Sequence, residues 1–220
     1  DLAKATKKLL KKRGQTVDDG EVEDLPDAGR GVGAAVEDED LRKLLEREIK
    51  NLSRVMENPE KPLVIIIGGA KIDDKVGVIE NFKNKADYFL MGSAYLRITN
   101  RQSPIMGLNN IIFPEDFVGE GDVALDIGPK TIETYSKIIS RAKTVIWNGP
   151  MGMFENPAYL NGSKKIAEAI IASKAFSVVG GGDTDQFLNQ VWLRDKFSFI
   201  NSSYFCCCWS CIHSISAIRQ

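Results

Sequence analysis

Four segments of this chain join glycine to residues able to hold phosphate, metal or hydroxyl groups: Gly68–Lys75 (GGAKIDDK), Asp126–Thr131 (DIGPKT), Trp147–Glu155 (WNGPMGMFE) and Gly180–Thr184 (GGGDT). In the last, three glycines clear side chains from the mouth of a helix, where unpaired N–H groups and the helix dipole favour an anion. Asp183 is a hard oxygen ligand of the kind that holds magnesium against phosphates, and Thr184 adds a hydroxyl at the helix start. The plainer alternative is that Asp183 caps the helix.

Lys71 and Lys75 are four residues apart, so both ammonium groups share one face if the helix has begun by Lys71. Together they could neutralise a polyphosphate; as ordinary surface lysines they would face solvent beside Asp73 and Asp74. No G-x-x-x-x-G-K-[ST] occurs, so this is not a Walker A loop. In the third segment Asn148 can donate and accept, Gly149 and Gly152 allow close backbone approach, and Glu155 offers acceptors suited to ribose hydroxyls. Pro150 stiffens that turn, while Met151, Met153 and Phe154 read as packing. In the second segment Gly128-Pro129 is a turn and helix entry, with Asp126 a possible cap.

These turns need strands before them and helices after them. Leu63–Ile67, Tyr88–Met91, Ile111–Phe113, Thr144–Trp147 and Phe176–Val179 are short apolar runs, predicted as strands. Helical periods follow over Val76–Phe82, Thr131–Ile139, Gly162–Ser173 and from Thr184. Continuous apolar strands alternating with helices predict an α/β fold: a Rossmann-like, mainly parallel sheet with helices on both faces, in three layers. Ligands bind such sheets beyond the carboxyl ends of the strands, and all four glycine turns are expected at that edge.

A chain of 220 residues with 43% hydrophobic content can bury one good core. Twenty-nine basic against thirty acidic residues leave a net charge of -1, so any anion site must be local and neither nucleic acid nor a membrane surface is an expected partner. The lysine-rich first residues lack the apolar core of a secretory signal, and a cytoplasmic, monomeric protein is expected. Residues 1–40 read as a helix plus loop. A helix with apolar residues at Leu41, Leu44, Leu45, Ile49, Leu52 and Met56 follows, ending near Asn58-Pro59. Residues 41–200 form the expected nucleotide-binding domain. The tail, 201–220, holds all four cysteines, Cys206, Cys207, Cys208 and Cys211, beside the single His213. Zinc on Cys208, Cys211 and His213 lacks a second ligand pair, so reduced thiols in a divergent tail are the preferred reading.

In their fixed order the motifs resemble one family. EREIKNLSRVMENPEKPLVIIIGGAKIDDKVGVIENF, LDIGPKTIETYSKIISRAKTVIWNGPMGMFENPAYLNGSKKIAEAI and AFSVVGGGDT are similar to the C-terminal, nucleotide-binding domain of phosphoglycerate kinase, over about Glu46 to Phe199. The resemblance implies phosphoryl transfer between 1,3-bisphosphoglycerate and Mg-ADP, giving 3-phosphoglycerate and Mg-ATP in glycolysis, with this chain supplying the nucleotide half. It implies Lys71 and Lys75 on the phosphates and the transferring group, with Lys75 catalytic. Gly92, Gly128 and Pro150 would line the base pocket, Asn148 would sit near the phosphates, and Glu155 would take the ribose. Asp183 would hold Mg2+, and Gly181, Gly182 and Thr184 would cradle the phosphate end. The alternative is a non-catalytic Mg-ADP/ATP-binding module, because the phosphoglycerate side is not evident before Asp40. An Ile98–Gln102 echo of that side's ITN-x-Q run lacks the arginine that should follow. The connection from Tyr95 to Asp126 is shorter than the family's, and Asn201-Ser202-Ser203 replaces an expected S-T-G-G-G-A turn.

Overall fold

The computed structural model describes residues 57–70, 73–97 and 107–201, together with Val55. The chain separates into two units, Asp1–Asn58 and Pro59–Gln220. In the first unit only Val55, Glu57 and Asn58 are described, and Val55 and Glu57 are helical. The rest of the helix expected through Met56, Lys71, the Ile98–Gln102 run and the cysteine tail lie outside the described residues.

The second unit alternates strand and helix. β1 (Leu63–Ile67) leads to α1 (Asp73–Phe82), then β2 (Tyr88–Met91), a 3-10 turn over Ser93–Arg97, and the short β3 (Ile111–Ile112). After β4 (Phe117–Glu120) and β5 (Val123–Ile127) come α2 (Pro129–Ile139), β6 (Thr144–Asn148), α3 (Asn161–Ser173), β7 (Phe176–Gly180), α4 (Gly182–Gln190) and β8 (Phe199–Asn201). Six strands form one sheet in the order β3-β2-β1-β6-β7-β8, and every pairing in it is parallel. No described helix is long and apolar enough to cross a membrane.

The strands are buried on both faces, as their unbroken apolar runs predict. All five residues of β1 are inaccessible to solvent. One face, through Val64, Ile66, Val145, Trp147 and Val179, packs on α2, α3 and α4 via Tyr135, Ile139, Ile166, Ile170, Phe187 and Leu188. Alternation puts Leu63, Ile65 and Ile67 on the opposite face. Val78, Ile79 and Phe82 of α1 are buried outside that cluster. At the β3 edge, the Tyr135 hydroxyl lies 2.9 Å from both Met91 O and Ile112 O, joining the carboxyl ends of β2 and β3.

Two elements depart from expectation. β4 and β5 are a separate antiparallel hairpin, not sheet strands. The Asp126–Thr131 turn therefore follows a hairpin strand, and three of the four glycine turns, not all four, leave carboxyl ends of the parallel sheet. β4 is exposed throughout and broken by a register shift after Val118, so it carries neither an apolar run nor a period of two. β8 is the second addition, an edge strand held beside β7 where Ser177 and Ser198 exchange N–H to Oγ bonds of 3.1 and 3.0 Å.

Candidate functional site

At the carboxyl ends of β1 and β6 two of these turns are locked together through their backbones. Gly68 N–H donates to Asn148 O (2.9 Å) and Gly69 N–H to Pro150 O (2.7 Å). Gly92 N–H, just beyond β2, donates to Ile67 O (2.8 Å). These glycines are there for close approach: a Cβ on Gly68 would lie 2.0 Å from Pro150 O, and one on Gly92 2.9 Å from the Gly68 Cα. Gly149 has φ +95° and lies against Gly68 O, a place no other residue type fills without strain.

Thr184 joins this lock to the third turn. Its buried hydroxyl accepts from Gly149 N–H (2.8 Å) and donates to Gly180 O (3.0 Å), so one side chain ties the end of β6 to the mouth of α4. Beneath it, Phe187 meets Trp147 edge to face at 5.8 Å and Phe154 at 6.0 Å, and the Trp147 indole N–H reaches Gly149 O (2.8 Å). The mouth of α4 is thus fixed from below while its upper side stays open. Among the described residues, nothing beyond its own helix turn lies within 4 Å of where a Gly182 Cβ would be.

The capping position of α4 is Gly181, at φ +93°, so no side chain closes the first turn. Asp183 is exposed in that turn and does not act as the cap that was its plainer reading. Lys75, on α1, reaches across to β6 and donates from Nζ to Asn148 Oδ1. That bond orients the Asn148 amide: Oδ1 faces Lys75 and the Gly181 turn, leaving Nδ2 buried without a hydrogen-bond partner among the described residues. A buried amide N–H left unpaired costs about 1–3 kcal/mol.

Lys75, Asn148, Gly149, Gly181 and Thr184 are therefore one connected group, and Gly68, Gly92 and Pro150 adjoin it through the backbone. Glu155 and Asp183 are exposed and hydrogen-bond to none of these. Gly128 makes its close contact with the residue that caps α2. A Cβ on it would lie 2.3 Å from Asp116, whose carboxylate caps α2 by accepting from Lys130 N–H (3.0 Å), Thr131 N–H (2.8 Å) and Thr131 Oγ1 (2.7 Å). Partial burial pushes the Asp116 carboxyl up, but the bonds from Thr131 and Lys130 and the Lys130 charge outweigh it and hold the group below its usual value. Asp116 is a residue the sequence reading missed; its signal, an Asp well ahead of a Gly-Pro helix entry, becomes visible only when the chain folds back. Met151 and Phe154 are buried packing residues as read, while Met153 is exposed.

No group of three metal-binding side chains exists among the described residues. One exposed carboxylate beside an open helix mouth instead fits a hard cation held jointly by protein and phosphates.

The chain matches the phosphoglycerate kinase family over residues 41–100 and 98–203. It is 38% identical over 211 residues to the phosphoglycerate kinase of Spiroplasma citri, covering 78% of this chain and 51% of that one. It is 36% identical over 202 residues to that of Dictyoglomus turgidum, covering 72% and 51%. Among solved structures, phosphoglycerate kinase from Coxiella burnetii superposes with a TM-score of 0.67 at 29% identity, covering 74% of this chain and 53% of that one. The chain spans about half the length of the curated relatives it matches. With the motifs in order and the fold shared, this chain belongs to the phosphoglycerate kinase family.

Proposed function

We propose that this chain supplies the nucleotide-binding half of a phosphoglycerate kinase, seating Mg-ADP or Mg-ATP for phosphoryl transfer between 1,3-bisphosphoglycerate and ADP. The observation that carries the reading is the Lys75 ammonium group held on Asn148 Oδ1 beside the open mouth of α4. Transfer of this kind rests on positioning and charge stabilisation, and each residue has a part in it. Lys75, tethered by Asn148, brings positive charge to the phosphoryl group, and Lys71 adds to it at the same turn. Asn148 donates from Nδ2, and the N–H groups of Gly181, Gly182 and Thr184 donate to phosphate oxygens at the helix mouth. Glu155 accepts from ribose hydroxyls, with Gly92, Gly128 and Pro150 on the base side. Asp183 would hold magnesium, which when bound neutralises phosphate charge. The setting we propose is glycolytic and cytoplasmic, with a monomer acting on small molecules.

Titration calorimetry with Mg-ADP tests the seat. Binding by the wild type is expected, weakened about tenfold or more in both Lys75→Ala and Asp183→Ala, since each removes a charged contact to phosphate or metal. A folded wild type that releases no heat sinks the reading. ATP formation from 1,3-bisphosphoglycerate in a coupled assay tests the transfer; silence despite tight ADP binding would leave a nucleotide-binding module.

A further inference from the structure

Asp126, which the sequence offers as a possible cap of the Gly128-Pro129 helix entry, is a carboxylate 1% exposed at the end of β5, and its bonds run instead to Gly162 and Ile127. Its Oδ2 accepts from Gly162 N–H in the first turn of α3 (2.6 Å) and its Oδ1 from Ile127 N–H (2.9 Å). The next residue of α3, Ser163, uses its buried Oγ to accept from Met151 N–H (2.9 Å). On the other side, Leu125 O accepts from Met153 N–H (2.7 Å). These bonds form a closed ring: α3 holds Met151, β5 holds Met153, and Asp126 joins α3 to β5. Inside the ring lies Gly152, where a Cβ would be 2.5 Å from Asp126 Oδ1; at Gly162 it would be 2.2 Å away. Both positions lack a side chain because the carboxylate occupies that space.

The loop inside this ring carries Pro150 at one end and Glu155 at the other. We propose that Asp126 is a positioning residue for the sugar and base side of the nucleotide seat, acting through the Met151–Met153 backbone with Ser163 as its relay. This rests on the nucleotide reading of that loop. The phosphate end is positioned separately, by Thr184 and the mouth of α4. Opening the ring should therefore lower ADP affinity without changing how strongly magnesium improves it.

The test measures Kd for ADP with and without Mg2+ in the full chain, for wild type, Asp126→Asn, Ser163→Ala and Asp183→Ala. Asparagine keeps the shape but sets an N–H2 or a lone acceptor where two N–H groups now need acceptors. If the held loop falls to about a tenth of the population, ADP binding weakens about tenfold with and without magnesium alike. Ser163→Ala, which removes only the acceptor of Met151 N–H, should show the same pattern more weakly and carries the test if Asp126→Asn does not fold. In Asp183→Ala the magnesium effect itself should collapse. Unchanged ADP affinity in folded ring variants, or loss of the magnesium effect in them, overturns the proposal. A wild type that binds no ADP refutes the nucleotide reading instead.

Discussion

Thr184→Val isolates one hydroxyl at the point where the seat is assembled. Valine fills the same volume, so packing against β6 and β7 is kept and the change is electrostatic. The hydroxyl accepts from Gly149 N–H at 2.8 Å and donates to Gly180 O at 3.0 Å, and Thr184 is 0% exposed, so no water replaces it. An orphaned buried N–H costs about 1–3 kcal/mol and a lost carbonyl bond about 1 kcal/mol, giving about 2–4 kcal/mol in all. For a domain of this size that lowers Tm by roughly 6–12 °C. Urea unfolding at neutral pH measures it directly, with the slope unchanged because the surface exposed on unfolding is the same. Thr184→Ser keeps the hydroxyl and should recover most of the loss. A valine variant within about 0.5 kcal/mol of wild type would refute the bridge, and with it the claim that the mouth of α4 is fixed to β6 by this side chain.

Asp126 predicts an unusual pH dependence. Burial pushes its carboxyl up to about 6, against the opposing bonds from Gly162 and Ile127, so the folded protein holds a proton there that the unfolded chain releases near 3.8. Stability from this group is therefore full below the unfolded value and is lost as pH rises towards 6. Wild type should gain about 2 kcal/mol relative to Asp126→Asn on going from pH 7 to pH 4.5, and a flat difference in urea titrations would reject it. Tyr135→Phe removes the hydroxyl between Met91 O and Ile112 O and should cost about 1 kcal/mol; a change below about 0.3 kcal/mol would show that β3 does not depend on it.

The strands were legible because burial on both faces leaves an unmistakable apolar run, and β1 and β2 fall where the sequence places them. The helices of α/β units begin after glycine turns, so α2, α3 and α4 were legible to within a residue or two. The β4–β5 hairpin was not, since an exposed, bulged strand buries nothing and so leaves no period. At the turns, the residue types at Lys75 and Asp183 suggest phosphate and magnesium, and the resemblance adds Asn148, which is the reading proposed above. What each does depended on contacts across large separations in the chain. Asn148 and Lys75 are 73 residues apart, Gly149 and Thr184 35, and Asp126 and Gly162 36.

Local chemistry thus marked by itself the turns proposed to meet an anion, because glycine, lysine and aspartate carry that capacity wherever they are placed. The tertiary structure alone decided that Thr184 spends its hydroxyl on the protein, that Gly68 and Gly149 are spacers between backbones, and that Asp126 closes a ring around the Glu155 loop. A hydroxyl, a missing Cβ and a carboxylate each have several uses, and the neighbour that folding brings selects among them.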